Sequence, residues 1–232
     1  MTNNKIWAIV PAAGSGQRMG MEIPKQYLET NGKTILEITL SKLLENKNID
    51  QIVVCTASDD FHWSKLEVSK HPKIQQTNGG LSRALSVLSG LISIVNSVED
   101  DDWVLVHDAA RPCLSQELLD KLINELSKDK VGGILAVPAK DTLKLSNNSG
   151  ESINKTLDRS LVWHAQTPQM FRFGLLKDAL QNAIDIGLEI TDEASAMEHA
   201  GHAVKLVEGD SFNLKITTKD DLALASYFLV NR

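Results

Sequence analysis

The chain has 232 residues, enough for one sizeable core, and its 42% hydrophobic and 23% charged content is ordinary for a globular domain. A formal net charge of −6 argues against nucleic acid as the main partner, because that affinity comes from clustered positive charge. The N-terminal Met1-Thr-Asn-Asn-Lys5 lacks a signal peptide's apolar core, no apolar run approaches membrane-spanning length, and the distant Cys55 and Cys113 give neither a disulfide framework nor a zinc spacing, so the expected compartment is the cytoplasm.

The apolar run from Ile6 to Val10 reads as a buried first strand. After it comes Pro-Ala-Ala-Gly-Ser-Gly-Gln-Arg-Met-Gly-Met-Glu-Ile-Pro-Lys, residues 11–25. Gly14 and Gly16 free the backbone to curl with its N–H groups facing an anion, and Arg18 and Lys25 add two cations to one short loop. A strand end, a bare glycine turn and two fixed positive charges suit a triphosphate. The spacing is not that of the dinucleotide fingerprint. Met19 stands where its third glycine belongs, Gly20 comes one residue late, and Pro24 biases Ile23 away from helical angles. The P-loop pattern G-x-x-x-x-G-K-[ST] is absent. A tight strand-to-loop turn also explains the glycines; the two cations favour the phosphate reading.

Thr34-Ile-Leu-Glu37 is a capping-box start, and Leu36, Leu40, Leu43 and Leu44 then recur at helical spacing. Ile52 to Cys55 reads as a strand, Ser82 to Val98 as a long apolar-faced helix, and Glu99 to Asp102 as a solvated acidic turn. A strand over Trp103 to Val106, a helix over Gln116 to Ser127 and a strand over Gly133 to Val137 continue the alternation. The pattern predicts a single α/β domain over residues 1–232. It is a Rossmann-like, mostly parallel sheet with helices on both faces, and ligands belong at the carboxyl ends of its strands. From Asp141 to Leu161 the rhythm breaks. Weak alternation around Asn147-Asn-Ser-Gly150 predicts a protruding β-arm too poor in apolar residues to bury itself, which would pack on a partner subunit unless it is a plain surface loop. Helices are expected near Leu175 to Ile186, from Thr191 and Asp192 onward, and from Thr218 to Val230.

His107-Asp108-Ala-Ala-Arg111-Pro112 lies where the strand ending at Val106 stops. An acidic residue there can ligate Mg²⁺ or hold a ribose hydroxyl; equally, Asp108 can be a cap or an ion-pair partner of Arg111. His199 and His202 straddle a helix end and read as surface residues. No Gly-x-Ser-x-Gly elbow exists, which disfavours an acyl-enzyme hydrolase.

Several motifs in chain order resemble the 2-C-methyl-D-erythritol 4-phosphate cytidylyltransferase family of the non-mevalonate isoprenoid pathway. They are Pro11 to Met19 with Pro24-Lys25-Gln26, Gly79-Gly80 with Arg83 and Ser86, and His107 to Pro112. Leu157-Asp158-Arg159, Trp163 to Gln169, Thr191-Asp-Glu-Ala-Ser195 and Asn213-Leu-Lys215-Ile-Thr217 complete the set. The resemblance implies attack of a sugar-alcohol phosphate on the α-phosphorus of CTP, with pyrophosphate leaving. The nucleophile is already an anion, so the reaction needs preplaced cations rather than a general base.

On that resemblance Arg18 and Lys25 grip the triphosphate with Mg²⁺ sharing the work, and Arg159 and Lys215 hold the attacking phosphate in line. Ala12, Ala13, Gly14 and Gly16 bind nucleotide, Gly79, Gly80 and Ser86 read the cytosine, and Thr142, Thr167 and Thr191 contact the methylerythritol phosphate. Asp108 is a substrate-binding residue and a candidate metal ligand. Thr191 is also placed to cap the helix that follows. Leu81 and Leu85 depart from the family, which often carries polar or acidic residues there, so base reading would fall to backbone carbonyls. The resemblance further implies a homodimer whose arm, residues 141–161, carries Arg159 into the neighbour's site. Ribitol 5-phosphate cytidylyltransferase, a non-catalytic nucleotide sensor of the same fold and a dinucleotide-dependent oxidoreductase are the alternatives.

Overall fold

The computed structural model describes residues 4–14 and 23–231. The chain opens with strand β1 (Ile6–Pro11), a two-residue hairpin of β2 (Glu29–Thr30) and β3 (Lys33–Thr34), helix α1 (Ile35–Glu45) and strand β4 (Gln51–Thr56). It continues through β5 (Ile74–Asn78), α2 (Arg83–Ser93), β6 (Trp103–Val106), α3 (Gln116–Leu126) and β7 (Gly132–Pro138). The hairpin β8 (Lys144–Ser146) and β9 (Ile153–Thr156) then precedes β10 (Trp163–Arg172), α4 (Phe173–Asp185), α5 (Glu193–His199), β11 (Lys205–Glu208) and α6 (Lys219–Asn231).

Seven strands form one sheet in the order β11-β7-β10-β6-β1-β4-β5. Every neighbouring pair is parallel except those of β10, which runs antiparallel to both β6 and β7. The central strands are apolar along their whole length because both faces are covered. On β1, Ala8 and Val10 pack with Leu36, Leu40 and Leu43 of α1 and Leu119 and Leu122 of α3. Trp7 and Ile9 point the other way, into Val87 and Leu91 of α2 and Leu176 and Leu180 of α4. This is the expected two-layer cover, and the capping box that starts α1 is formed: Glu37 N donates to Thr34 Oγ1 at 3.2 Å and Thr34 N to Glu37 Oε2 at 2.9 Å.

Several local expectations are corrected. Helix α2 stops at Ser93, because the amides of Ile94, Val95 and Ser97 turn back to carbonyls three residues earlier. The sequence there, Ile94-Val-Asn-Ser97, is rich in poor helix formers. The acidic run at 99–102 is not wholly solvated: Asp102 is buried and accepts from Lys5 N at 2.8 Å and Glu99 N at 3.0 Å. Asp192, rather than Thr191, caps α5, accepting from Ser195 N at 2.9 Å. Strands β5, β10 and β11 lacked a sequence signal. β5 is a polar edge strand, and Pro168 sits inside β10 where its register against β7 shifts between Ala165 and Gln169.

The segment 141–161 contains the antiparallel β8–β9 hairpin, turned by Asn147, whose Oδ1 accepts from Glu151 N and Ser152 N. Leu145 and Ile153 stand 44% and 63% exposed on it, so within one chain the arm buries almost nothing. Among the described residues no helix is long and apolar enough to cross a membrane.

Candidate active site

A cleft of about 740 Å³ opens across the carboxyl ends of β6, β1, β4 and β5, four adjacent parallel strands. This is where an open α/β sheet takes its ligand, since the loops leaving neighbouring strands part there. Ala12, Ala13 and Gly14 form one wall, Gly79 and Gly80 a second, and Asp108 and Lys215 a third. Lys25 and Ser86 also line it. Arg18 and Gly16 lie outside the described residues.

Each wall is held by side chains that the sequence did not single out for the task. Gln26 is buried, and its amide nitrogen donates to Ala12 O at 2.7 Å and Gly14 O at 3.1 Å, which draws the start of the glycine loop onto the short 3₁₀ turn carrying Lys25. The Gly79–Gly80 turn is pinned by Gly79 N to Thr56 O at 2.7 Å and by Gly80 N to Ser86 Oγ at 3.1 Å. Ser86 Oγ in turn donates to Ser82 O at 2.9 Å, so this buried hydroxyl is committed to shaping the turn. A Cβ on Gly79 would lie 2.6 Å from the Ala13 Cβ, so only glycine lets the two walls approach this closely. Leu81 stands fully exposed on the rim.

Lys25 and Lys215 come from distant parts of the chain and meet on one segment. Lys25 Nζ donates to Ile216 O at 3.0 Å, while Lys215 Nζ lies 2.9 Å from Asp108 Oδ2. That segment is tied to the loop after β6 by Ile216 N to Ala110 O at 2.9 Å and by Arg111 Nη1 to Asn213 O at 2.6 Å.

Asp108 is the electrostatic centre. Its Oδ1 accepts from Arg83 Nε at 2.9 Å, and its Oδ2 faces Lys215 and, at 3.4 Å, Arg111 Nε. Burial alone would raise its pKa, but Arg83, Lys215 and Arg111 together overcome that and hold the carboxyl well below the usual carboxylate range. Arg83 is clasped from behind by Glu193, a fully buried carboxylate that accepts Nη1 at 2.7 Å and Nη2 at 2.9 Å. Burial weakens the charged form of Arg83, yet Glu193 and Asp108 outweigh it and hold the guanidinium protonated.

The backbone of Asp108 is fixed as firmly as its side chain. Asp108 N donates to Thr167 Oγ1 at 3.0 Å, and Thr167 Oγ1 lies 3.1 Å from His107 Nδ1. His107 Nε2 lies 3.1 Å from Arg111 O, a pure acceptor, so Nε2 carries the proton and Nδ1 accepts from the threonine. Burial pushes the His107 pKa down to about 4, and the ring is neutral.

The remaining expected site residues stand apart from this cleft within one chain. Thr167 is buried behind Asp108, and Thr191 is exposed beside the cap of α5. Thr142 is exposed at the base of the arm. Arg159 is exposed there too, its Nη1 donating to Lys140 O at 2.6 Å. The expected magnesium role of Asp108 fits poorly, because both its oxygens are occupied by cationic side chains. Among the described residues no three His, Cys, Asp or Glu side chains converge to hold a metal. Gln26, Arg83 and Glu193 had no signal of their own in a single sequence beyond membership of motifs whose other residues carried the argument, whereas the ion pair of Asp108 with Arg111 that the sequence allowed is present at 3.4 Å.

Among its described titratable lining the cleft sets three cations, Lys25, Arg83 and Lys215, against two carboxylates, Asp59 and Asp108, a balance that suits an anionic ligand. Known proteins agree with that reading. The model of the family described as 2-C-methyl-D-erythritol 4-phosphate cytidylyltransferase matches residues 6–231. A protein of that name from Pseudomonas paraeruginosa is 54% identical over 217 residues, covering 93% of this chain and 92% of its own. One from Vibrio vulnificus is 49% identical over 222 residues, covering 96% and 93%. The crystal structure of the Francisella tularensis protein of that name superposes with a TM-score of 0.84 at 40% identity, covering 97% of this chain and 99% of the other. That from Thermus thermophilus gives 0.79 at 29% identity, covering 98% and 100%. With a matching model along nearly its whole length, close relatives and this cleft at the strand ends, the chain belongs to the 2-C-methyl-D-erythritol 4-phosphate cytidylyltransferase family.

Proposed function

We propose that the chain transfers CMP from CTP to 2-C-methyl-D-erythritol 4-phosphate, releasing pyrophosphate, as a step of non-mevalonate isoprenoid biosynthesis. The observation that carries the reading is the meeting of Lys25 and Lys215 on one backbone segment at the mouth of a nucleotide-sized cleft. Both substrates are polyanions, and the barrier lies in bringing them together and stabilising the charge that builds in line at the α-phosphorus. Lys25, beside the glycine loop, faces the triphosphate and stabilises the pentacoordinate charge. Lys215, on the segment that Lys25 bonds and paired with Asp108, orients the attacking phosphate. The attacking oxygen is already ionised, so no side chain has to remove its proton. The glycine turn offers its backbone groups to the cytosine edge, with Leu81 taking no part in hydrogen bonding.

Arg159 lies outside its own chain's cleft, and the exposed arm that carries it buries little by itself. Both facts support a homodimer in which the arm reaches the partner's site. Divalent-metal dependence rests on the nucleotide's own phosphates, which bind Mg²⁺ with few protein ligands. No step above is routed through the ion. A cytoplasmic location is supported by sparse cysteine usage, with Cys55 a thiol buried in the core.

The test is pyrophosphate release with each of four nucleotides against methylerythritol phosphate and ribitol phosphate, with and without Mg²⁺. CTP with methylerythritol phosphate and Mg²⁺ should be the active combination. Activity only with ribitol phosphate, or a preference for UTP, would overturn the substrate assignment.

A further inference from the structure

The motif Thr191-Asp-Glu-Ala-Ser195 contains a carboxylate that the reaction above leaves without a part. Glu193 has no exposed surface, and it spends both oxygens on the two terminal nitrogens of Arg83, at 2.7 and 2.9 Å. The third guanidinium nitrogen, Nε, then meets Asp108 Oδ1 at 2.9 Å, and the other oxygen of Asp108 receives Lys215 at 2.9 Å. A continuous line of charge-assisted bonds therefore runs from the core, Glu193 to Arg83 to Asp108, to the lysine at the cleft.

The anchor of that line is itself rigid. Gln169 of β10 grips the residues on either side of Glu193: its Nε2 donates to Asp192 Oδ2 at 2.9 Å and its Oε1 accepts from Ala194 N at 2.9 Å. Stability alone is a weak reason to bury such a pair, since desolvating two charges offsets most of their attraction and an apolar pair would do as well. With both terminal nitrogens held by Glu193, by contrast, the guanidinium plane is fixed and its Nε–H points in one direction, at Asp108.

We infer that Glu193 is a positioning residue: by holding both prongs of Arg83 it sets the plane of the Asp108 carboxylate, and through it the place where the Lys215 ammonium meets the attacking phosphate. Glu193 touches no substrate. The inference rests on the proposed cytidylyl transfer for the identity of that phosphate. Without Glu193 the guanidinium swings, Asp108 turns with it, and Lys215 loses its registration against the in-line geometry, while Lys25, bonded to the backbone carbonyl of Ile216 rather than to the Asp108 carboxylate, keeps the triphosphate.

The experiment compares kcat and KM of wild type, Glu193→Gln, Glu193→Asp, Arg83→Gln and the Arg83→Gln/Glu193→Gln double variant, with folding followed by circular dichroism. Glu193→Gln should lose about ten- to a hundredfold in kcat, the loss that a displacement of about 1 Å produces, while KM for CTP stays within about threefold. Glu193→Asp keeps the charge but cannot span both prongs, and it should lose turnover with its fold intact. The double variant buries no unpaired charge, so it separates folding from positioning: it should fold and remain as slow as Arg83→Gln. Wild-type kcat in folded Glu193→Gln, or recovery of wild-type kcat in the double variant, would overturn the positioning role. Should Glu193→Gln not fold, the double variant and Glu193→Asp decide by the same criteria. A wild-type chain that releases no pyrophosphate with any pair of substrates would instead overturn the reaction itself.

Discussion

Acidifying the protein should cost it about 3 kcal/mol through a single side chain, His107. The ring is fully buried, and its pKa falls from the ordinary 6.5 to about 4 because burial disfavours the imidazolium. The unfolded chain therefore takes up a proton at this position that the folded chain refuses. Stability from this group is fully present above pH 6.5 and is lost as pH falls from 6.5 toward 4. At about 1.4 kcal/mol for each tenfold change in proton concentration, the gap amounts to about 3 kcal/mol by pH 4, or more than a hundredfold in the folding equilibrium. Urea unfolding followed by tryptophan fluorescence, repeated from about pH 7.5 to about pH 4, measures the acid limb directly. His107→Gln keeps one donor and one acceptor between Thr167 and Arg111 but does not titrate, so its limb should be shallower by about that amount. The other histidines and the carboxylates are common to both proteins and cancel in the difference. Parallel limbs for the two proteins would refute the assignment of a buried, neutral His107.

Lys25→Ala should lower kcat by about thirty- to several-thousand-fold, the effect of removing a cation worth roughly 2–5 kcal/mol to the transition state, and Arg18→Ala should do the same from its place in the sequence. Near-normal turnover in both, with folding unchanged, would mean that the glycine loop is not catalytic. Co-refolding Lys25→Ala chains with Arg159→Ala chains tests the shared site. Random pairing makes about half the dimers mixed, each with one intact site, so activity should return to about a quarter of wild type; no recovery from proven heterodimers sinks the trans arrangement. Gly79→Ala places a Cβ 2.6 Å from Ala13 Cβ and 2.8 Å from Ser86 Oγ, forcing apart two cleft walls. KM for CTP should rise, with a stability loss of about 1–3 kcal/mol, and an unchanged KM would show that the spacing of the walls does not matter. Magnesium should raise the melting temperature only when CTP is also present, since the described residues hold no acidic cluster of their own; a shift with the ion alone contradicts this.

The amino-acid sequence by itself determined the alternation of strands and helices, because central strands buried on both faces must be apolar throughout and helices must carry a stripe. Ile6 to Val10, Trp103 to Val106 and the capping box at Thr34 are all local patterns, and they are where the structure has them. Ala12 to Gly14 and Asp108, which line the cleft, were legible for the same reason, since each follows such a strand; Gly79-Gly80 follows the polar edge strand β5 and was legible only through the family resemblance. Local pattern could not supply β10, whose apolar run is broken by Pro168 and whose place between β6 and β7 is a matter of topology. It allowed the pairing of Asp108 with Arg111, but could not show that Asp108 also collects Arg83 and Lys215, or that Glu193 lies behind Arg83, 110 residues away along the chain. Ser86 and Gln26 looked like substrate-facing and neutral motif residues, yet their polar groups hold loops in place. Side-chain charge pairing and buried hydrogen bonds depend on which distant segments the fold brings within about 3 Å, a distance over which sequence separation carries no information. Only the folded sheet, by laying four strand ends side by side, decides those partners.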